Sequence, residues 1–119
     1  MQRARATADA IAAQFPDAAR LVVEDVQEMA YGELEGVLIS QAKSQMIQIS
    51  SSWEDGDVDV LVGGGESPQD VLDRVVSALS ELLRAYRGRT VLVVGHSWVN
   101  KVSSITLYLL ALSRVEADA

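Results

Sequence analysis

Apolar and polar positions alternate at helical spacing near the start of the chain. In "RARATADAIAAQ" (residues 3–14), Ala4, Ala8, Ile11 and Ala12 share one face, and Pro16 ends the pattern. A helix beginning almost at Met1 is predicted. The apolar run "LVVEDV" then reads as a strand end. It leads into the loop "QEMAYGELEG", whose two glycines flank an acidic and aromatic turn. From Val37 to Trp53, Leu38, Met46, Ile49 and Trp53 fall near a helical period. "DGDVDVLVGGGE" reads as a linker, acidic and then glycine-rich. The strongest helix signal follows it: Ser67 suits the N-cap, Pro68 the first helical position, and Asp70 complements the dipole. Val71, Leu72, Val75, Val76, Leu79, Leu82 and Leu83 continue as an apolar stripe that ends near Gly88. "TVLVV" (residues 90–94) has the β-branched continuity of a strand buried on both faces of a parallel sheet. "SWVNKVSSITLYLLAL" returns to helix through Val99, Val102, Ile105, Leu109 and Leu112.

Helices alternating around a doubly buried strand predict an α/β fold, a three-layer sandwich with a mainly parallel sheet. In such sheets ligands bind beyond the carboxyl ends of the strands. The 119 residues suit one domain, 1–119, and 49% hydrophobic with 23% charged residues is a soluble globular composition. A net charge of −7 opposes binding to nucleic acid, because each phosphate would be met against the chain's own field. No apolar run is long enough to cross a bilayer, so no membrane partner is expected. Without cysteine, and with "MQRARATADA" lacking the apolar stretch of a secretory signal, a cytoplasmic location is the expectation.

The junction "VVGHS" concentrates the candidate chemistry. Gly95 admits a close approach, His96 is the only histidine, and the amides opening the next helix face outward with the positive end of its dipole. A phosphoryl group suits that arrangement. Taken singly, each candidate has an inert explanation: a histidine bonded to backbone, a solvated arginine, a surface carboxylate, a capping serine.

Four segments occur together in order: "RARATA" (Arg3 to Ala8), "EMAYGELEG" (Glu28 to Gly36), "GGES" (Gly64 to Ser67) and "VVGHSWVNKV". The set resembles the histidine phosphatase superfamily, also called phosphoglycerate mutase-like, over nearly the whole chain. The resemblance implies that Arg3, opening a helix, binds phosphoryl oxygens, a task suited to a planar and permanently charged guanidinium. It implies that Glu28 is the general acid to the leaving oxygen, a role that needs a protonated carboxyl near neutral pH. His96 would hold and stabilise the transferring group. Glu66 and Ser67 would frame the pocket, and Ser97 completes the phosphate-binding set. The implied ligand is a small phosphorylated substrate or inorganic phosphate, with no metal or organic cofactor, since arginine and histidine handle the charge.

One departure changes the functional expectation. The family's nucleophile is the histidine of an arginine–histidine–glycine segment ending its first strand, and that segment is absent from this sequence. The expectation is therefore an incomplete domain, lacking the first strand and the closing strand region. Its parent reaction passes through a phosphohistidine, and the chain alone shows no significant turnover. An exposed sheet edge is expected to promote self-association. Two other readings compete. One is a noncatalytic phosphate- or partner-binding module of the same fold. The other is a calcium loop built on Asp55, Asp57, Asp59 and Glu66, although Val60 stands where such a loop needs glycine.

Overall fold

Local sequence dictates the helices. α1 spans Gln2–Ala12, α2 Ile39–Glu54 and α3 Pro68–Ala85, and α4 runs from residue 97 through residue 105. They belong to a computed structural model that describes residues 2–105. Leu109 and Leu112, the end of the predicted last helix, lie outside the described residues. Single 3-10 turns occupy Glu24–Val26 and Gly32–Leu34.

The chain divides into two compact units. One is Met29–Arg74, and the other combines the residues up to Glu28 with those from Val75 onward. Within Met29–Arg74 the buried apolar residues are Met29, Ile49, Val62 and Val71. In the other unit they are Val75, Ala78, Leu79, Val99 and Val102.

α3 starts as its sequence predicts. The Ser67 hydroxyl accepts the Asp70 N–H at 3.1 Å, while the Ser67 N–H donates to Asp70 Oδ2 at 2.9 Å, a reciprocal capping box closed by aspartate. Hydrogen bonds from the Ser67 backbone and hydroxyl hold the Asp70 carboxyl below its usual range. Ser67 is buried, so its hydroxyl cannot be replaced by water. Ser67→Ala is expected to cost about 1 kcal/mol, read as a lower urea midpoint with unchanged slope.

The predicted sheet is absent: among the described residues there is no strand, which overturns the α/β sandwich and its parallel sheet. Neither "LVV" (21–23) nor "TVLVV" (90–94) forms the strand expected there, because a strand exists only through its ladder. None of residues 91–95 makes a backbone hydrogen bond among the described residues, and Leu92 is 68% exposed. The apolar run reports a preference for pairing, which is a nonlocal event that the run itself cannot supply. Among the described residues there is accordingly no sheet edge; an irregular segment without backbone partners there stands in its place.

The predicted linker is also more than a linker. Val62 is wholly buried, the Trp53 indole N–H donates to the Val60 carbonyl at 2.8 Å, and Gly65 N–H donates to the Val62 carbonyl at 2.8 Å. No helix of the described residues is long and apolar enough to cross a membrane.

Candidate active site

His96 directly precedes α4 and occupies its N-cap, its carbonyl accepting the Asn100 N–H at 2.8 Å. The side chain is half-buried and Ser97 beside it is exposed. The opening amides of a helix have no partner within it, and here the Trp98 N–H donates to Glu28 Oε1 at 3.2 Å. Residues 70 positions apart are thereby brought to one helix N-terminus, where a negative charge is favoured. Lys101 lies over the Trp98 ring, its Nζ 5.0 Å from the centroid, so its charge sits one turn into α4.

His96 also lines a cavity of about 1110 Å³ within its own unit. Its apolar wall includes Phe15, Leu21, Val22, Leu79 and Leu92, and four arginines line it as well: Arg5, Arg20, Arg87 and Arg89. Among the described residues the only carboxylate in the lining is Asp17, while Arg20 is ion-paired with Asp9. In a chain of net charge −7, this is a local cationic surface beside an imidazole.

The sequence-predicted residues separate accordingly. The Glu28 carboxyl reaches the Trp98 amide at the start of α4, where His96 and Ser97 precede it in the chain. Arg3 is exposed on α1 and does not line the cavity; its carbonyl accepts the Thr7 hydroxyl at 3.1 Å. Arg5, two positions later in the same "RARA" segment, does line it. Helical spacing carries that signal, because Arg5 shares a face with Ala8 and Ala12 at i+3 and i+7. Arg20, Arg87 and Arg89 stand in no recognisable motif.

Glu66 and Ser67 belong to the Met29–Arg74 unit. Glu66 Oε1 accepts Arg74 Nε at 2.7 Å, and Oε2 accepts Arg74 Nη2 at 2.9 Å and the Ala30 N–H at 2.8 Å. The Arg74 guanidinium holds the Glu66 carboxyl below its ordinary value, against the opposing effect of burial. Glu66 is thus engaged where the calcium reading needs it as a bidentate ligand. No group of three or more metal-binding side chains occurs among the described residues.

Comparison with known proteins identifies the family. The model of the histidine phosphatase superfamily (branch 1) matches residues 1–117, and the chain belongs to that family. It is 29% identical over 100 residues to phosphoglycerate mutase-like protein 4 of Arabidopsis thaliana, covering 83% of this chain and 44% of that protein. A protein of Mycobacterium tuberculosis described as bifunctional is 34% identical over 76 residues, 64% of this chain and 21% of that protein. An uncharacterized protein of Mycobacterium bovis matches to the same extent. The chain therefore spans less than half the length of these curated relatives. No solved structure matches it.

Proposed function

We propose that this chain carries one half of a phosphoryl-transfer site, the half that binds the phosphoryl group and protonates the leaving oxygen. The observation that carries the reading is the bond from the Trp98 N–H to Glu28 Oε1, which sets a carboxyl beside the helix that His96 caps. In the parent reaction a histidine nitrogen attacks phosphorus, the ester P–O bond breaks, and the departing oxygen takes a proton from Glu28. A neutral carboxyl accepts the Trp98 N–H through its carbonyl oxygen while its hydroxyl supplies that proton. His96, the Ser97 region and arginine charge hold the phosphoryl oxygens. Arg3 remains the family-matched arginine, and Arg5 is the arginine that lines the cavity with His96.

His96 does not replace the missing nucleophile. An attacking imidazole needs one neutral nitrogen aimed at phosphorus and its second nitrogen fixed by a hydrogen bond, and the transferring group would lose the donor that His96 otherwise supplies. The reading is therefore a small phosphomonoester or inorganic phosphate bound in the cytoplasm without turnover, hydrolysis or mutase chemistry belonging to the parent reaction. The backbone of residues 91–95, without partners among the described residues, gives a second copy of the chain a segment to pair with, and supports self-association.

Two measurements test the function. The purified chain is expected to release no inorganic phosphate from an aryl phosphate. In calorimetry, His96→Ala is expected to weaken inorganic phosphate binding by about tenfold, the loss of one charge-assisted hydrogen bond. Phosphate release that disappears in His96→Ala would show that the family's nucleophile is dispensable here. Equal phosphate affinity in both chains would remove His96 from the site.

A further inference from the structure

The cavity beside His96 is lined by residues of a single unit, and its lining is of two kinds. Phe15, Val22 and Leu92 stand on its wall yet remain 60%, 56% and 68% exposed, so the fold leaves a broad apolar surface uncovered there. Such a surface gains free energy when a ligand covers it. Arg5, Arg87 and Arg89 line the same cavity, and none of their guanidiniums makes an ion pair or hydrogen bond among the described residues. Three cations without carboxylate partners thus gather in a chain whose acidic residues outnumber its basic ones by 17 to 10. The backbone of residues 91–95, also without partners among the described residues, adds N–H groups to the lining.

A ligand that matches both kinds of lining carries an anionic group on an apolar body. A sugar or polyol phosphate meets the arginines equally well, but it sets its hydroxyls against Phe15, Val22 and Leu92, whose side chains offer no hydrogen bond in return. An uncharged apolar molecule leaves the guanidiniums without an anion. The volume of about 1110 Å³ far exceeds a phosphate ion and suits a fused-ring or long-chain body, since pockets for such ligands run to roughly 300–1,000 Å³. We propose that this cavity takes the organic part of the phosphomonoester, and that this part is an aryl or alkyl group rather than a sugar or polyol. The identity of the anionic group rests on the phosphate site proposed at His96; the apolar preference rests on the wall alone.

The test is calorimetric titration of the 119-residue chain with naphthyl phosphate, glycerol phosphate and naphthol. Naphthyl phosphate is expected to bind about tenfold more tightly than glycerol phosphate, the gain from covering roughly 60 Å² of apolar surface. Naphthol, which lacks the charge, should also bind about tenfold more weakly than naphthyl phosphate. Leu92→Asn changes a side chain outside the core and should reduce the preference for the naphthyl over the glycerol ester several-fold. Should that variant fail to fold, Phe15→Asn makes the same test from another part of the wall. Replacing Arg87 and Arg89 together by alanine should weaken both esters alike. Equal affinity for the two esters, or no binding of naphthyl phosphate, overturns the proposal, as does a preference that Leu92→Asn and Phe15→Asn leave whole. Naphthol bound as tightly as its phosphate would overturn it too, by reducing the site to an apolar patch. A failure of the proposed function is read separately, as equal affinity for inorganic phosphate in the unaltered chain and His96→Ala.

Discussion

Gly65→Ala is expected to destabilise the Met29–Arg74 unit by about 3 kcal/mol, the combined effect of overpacking and of hydrogen bonds lost around Ala30. A methyl group at Gly65 would collide with the Ala30 carbonyl and come within 2.6 Å of the Gly32 nitrogen, and backbone has no rotamer with which to yield. Relief requires the 30–33 and 63–66 segments to separate. That separation breaks the Glu66 N–H to Ala30 bond and, with it, the approach of the Glu66 carboxylate. Gly64 provides the comparison. It has φ of +70° but nothing within 4 Å of an added Cβ, so Gly64→Ala should cost only the left-handed backbone penalty, about 1 kcal/mol. Urea unfolding of the two variants measures the difference. Equal midpoints would show that the close approach of Gly65 contributes nothing.

The second large effect depends on pH. Arg74→Ala leaves the Glu66 carboxylate without its guanidinium in a site where the pair is 18% and 24% exposed. The expected loss is about 2–3 kcal/mol near neutral pH, below the range for a fully buried pair because some water reaches it. Arg74 lowers the Glu66 pKa in the folded chain from its ordinary 4.5. The stabilisation is therefore complete above 4.5 and disappears as the pH falls through the folded-state value, where the carboxyl protonates. Stability curves of the unaltered chain and of Arg74→Ala should run apart at neutral pH and converge in acid. A constant offset across the whole range would mean that Arg74 acts through packing of its stem alone.

What was legible in the sequence was local. Ser67, Pro68 and Asp70 announce the start of α3 because a capping box is closed within four residues, and the apolar stripe beyond it needs only helical spacing. His96 at the start of a helix was legible for the same reason. The sheet was misread because Val91 to Val94 state only that an extended chain is preferred; whether a neighbour supplies the ladder is decided elsewhere. The triple glycine was misread in the opposite direction. Glycine serves both flexible linkers and the tightest backbone contacts, and nothing near Gly63 and Gly65 told which of these applied. Glu66 and Ala30, 36 positions apart, meet only once the loop between them is folded. Arg5 was within reach of helical arithmetic, whereas Arg87 and Arg89 follow α3 without any periodicity to mark them.

The arginine-lined cavity also bears on how fast an anion arrives. An anion approaching a chain of net charge −7 is repelled at long range and attracted close to its cationic side chains, among them Arg5, Arg87 and Arg89 at the cavity. Salt at physiological strength screens charges beyond about 8 Å, which removes more of the distant repulsion than of the attraction at contact. Association is thereby relieved of its electrostatic barrier as ionic strength rises from very low values, while the bound state keeps its contacts. For any anion that enters the cavity, the chain's acidity would act on the encounter and the clustered cations on the time spent bound.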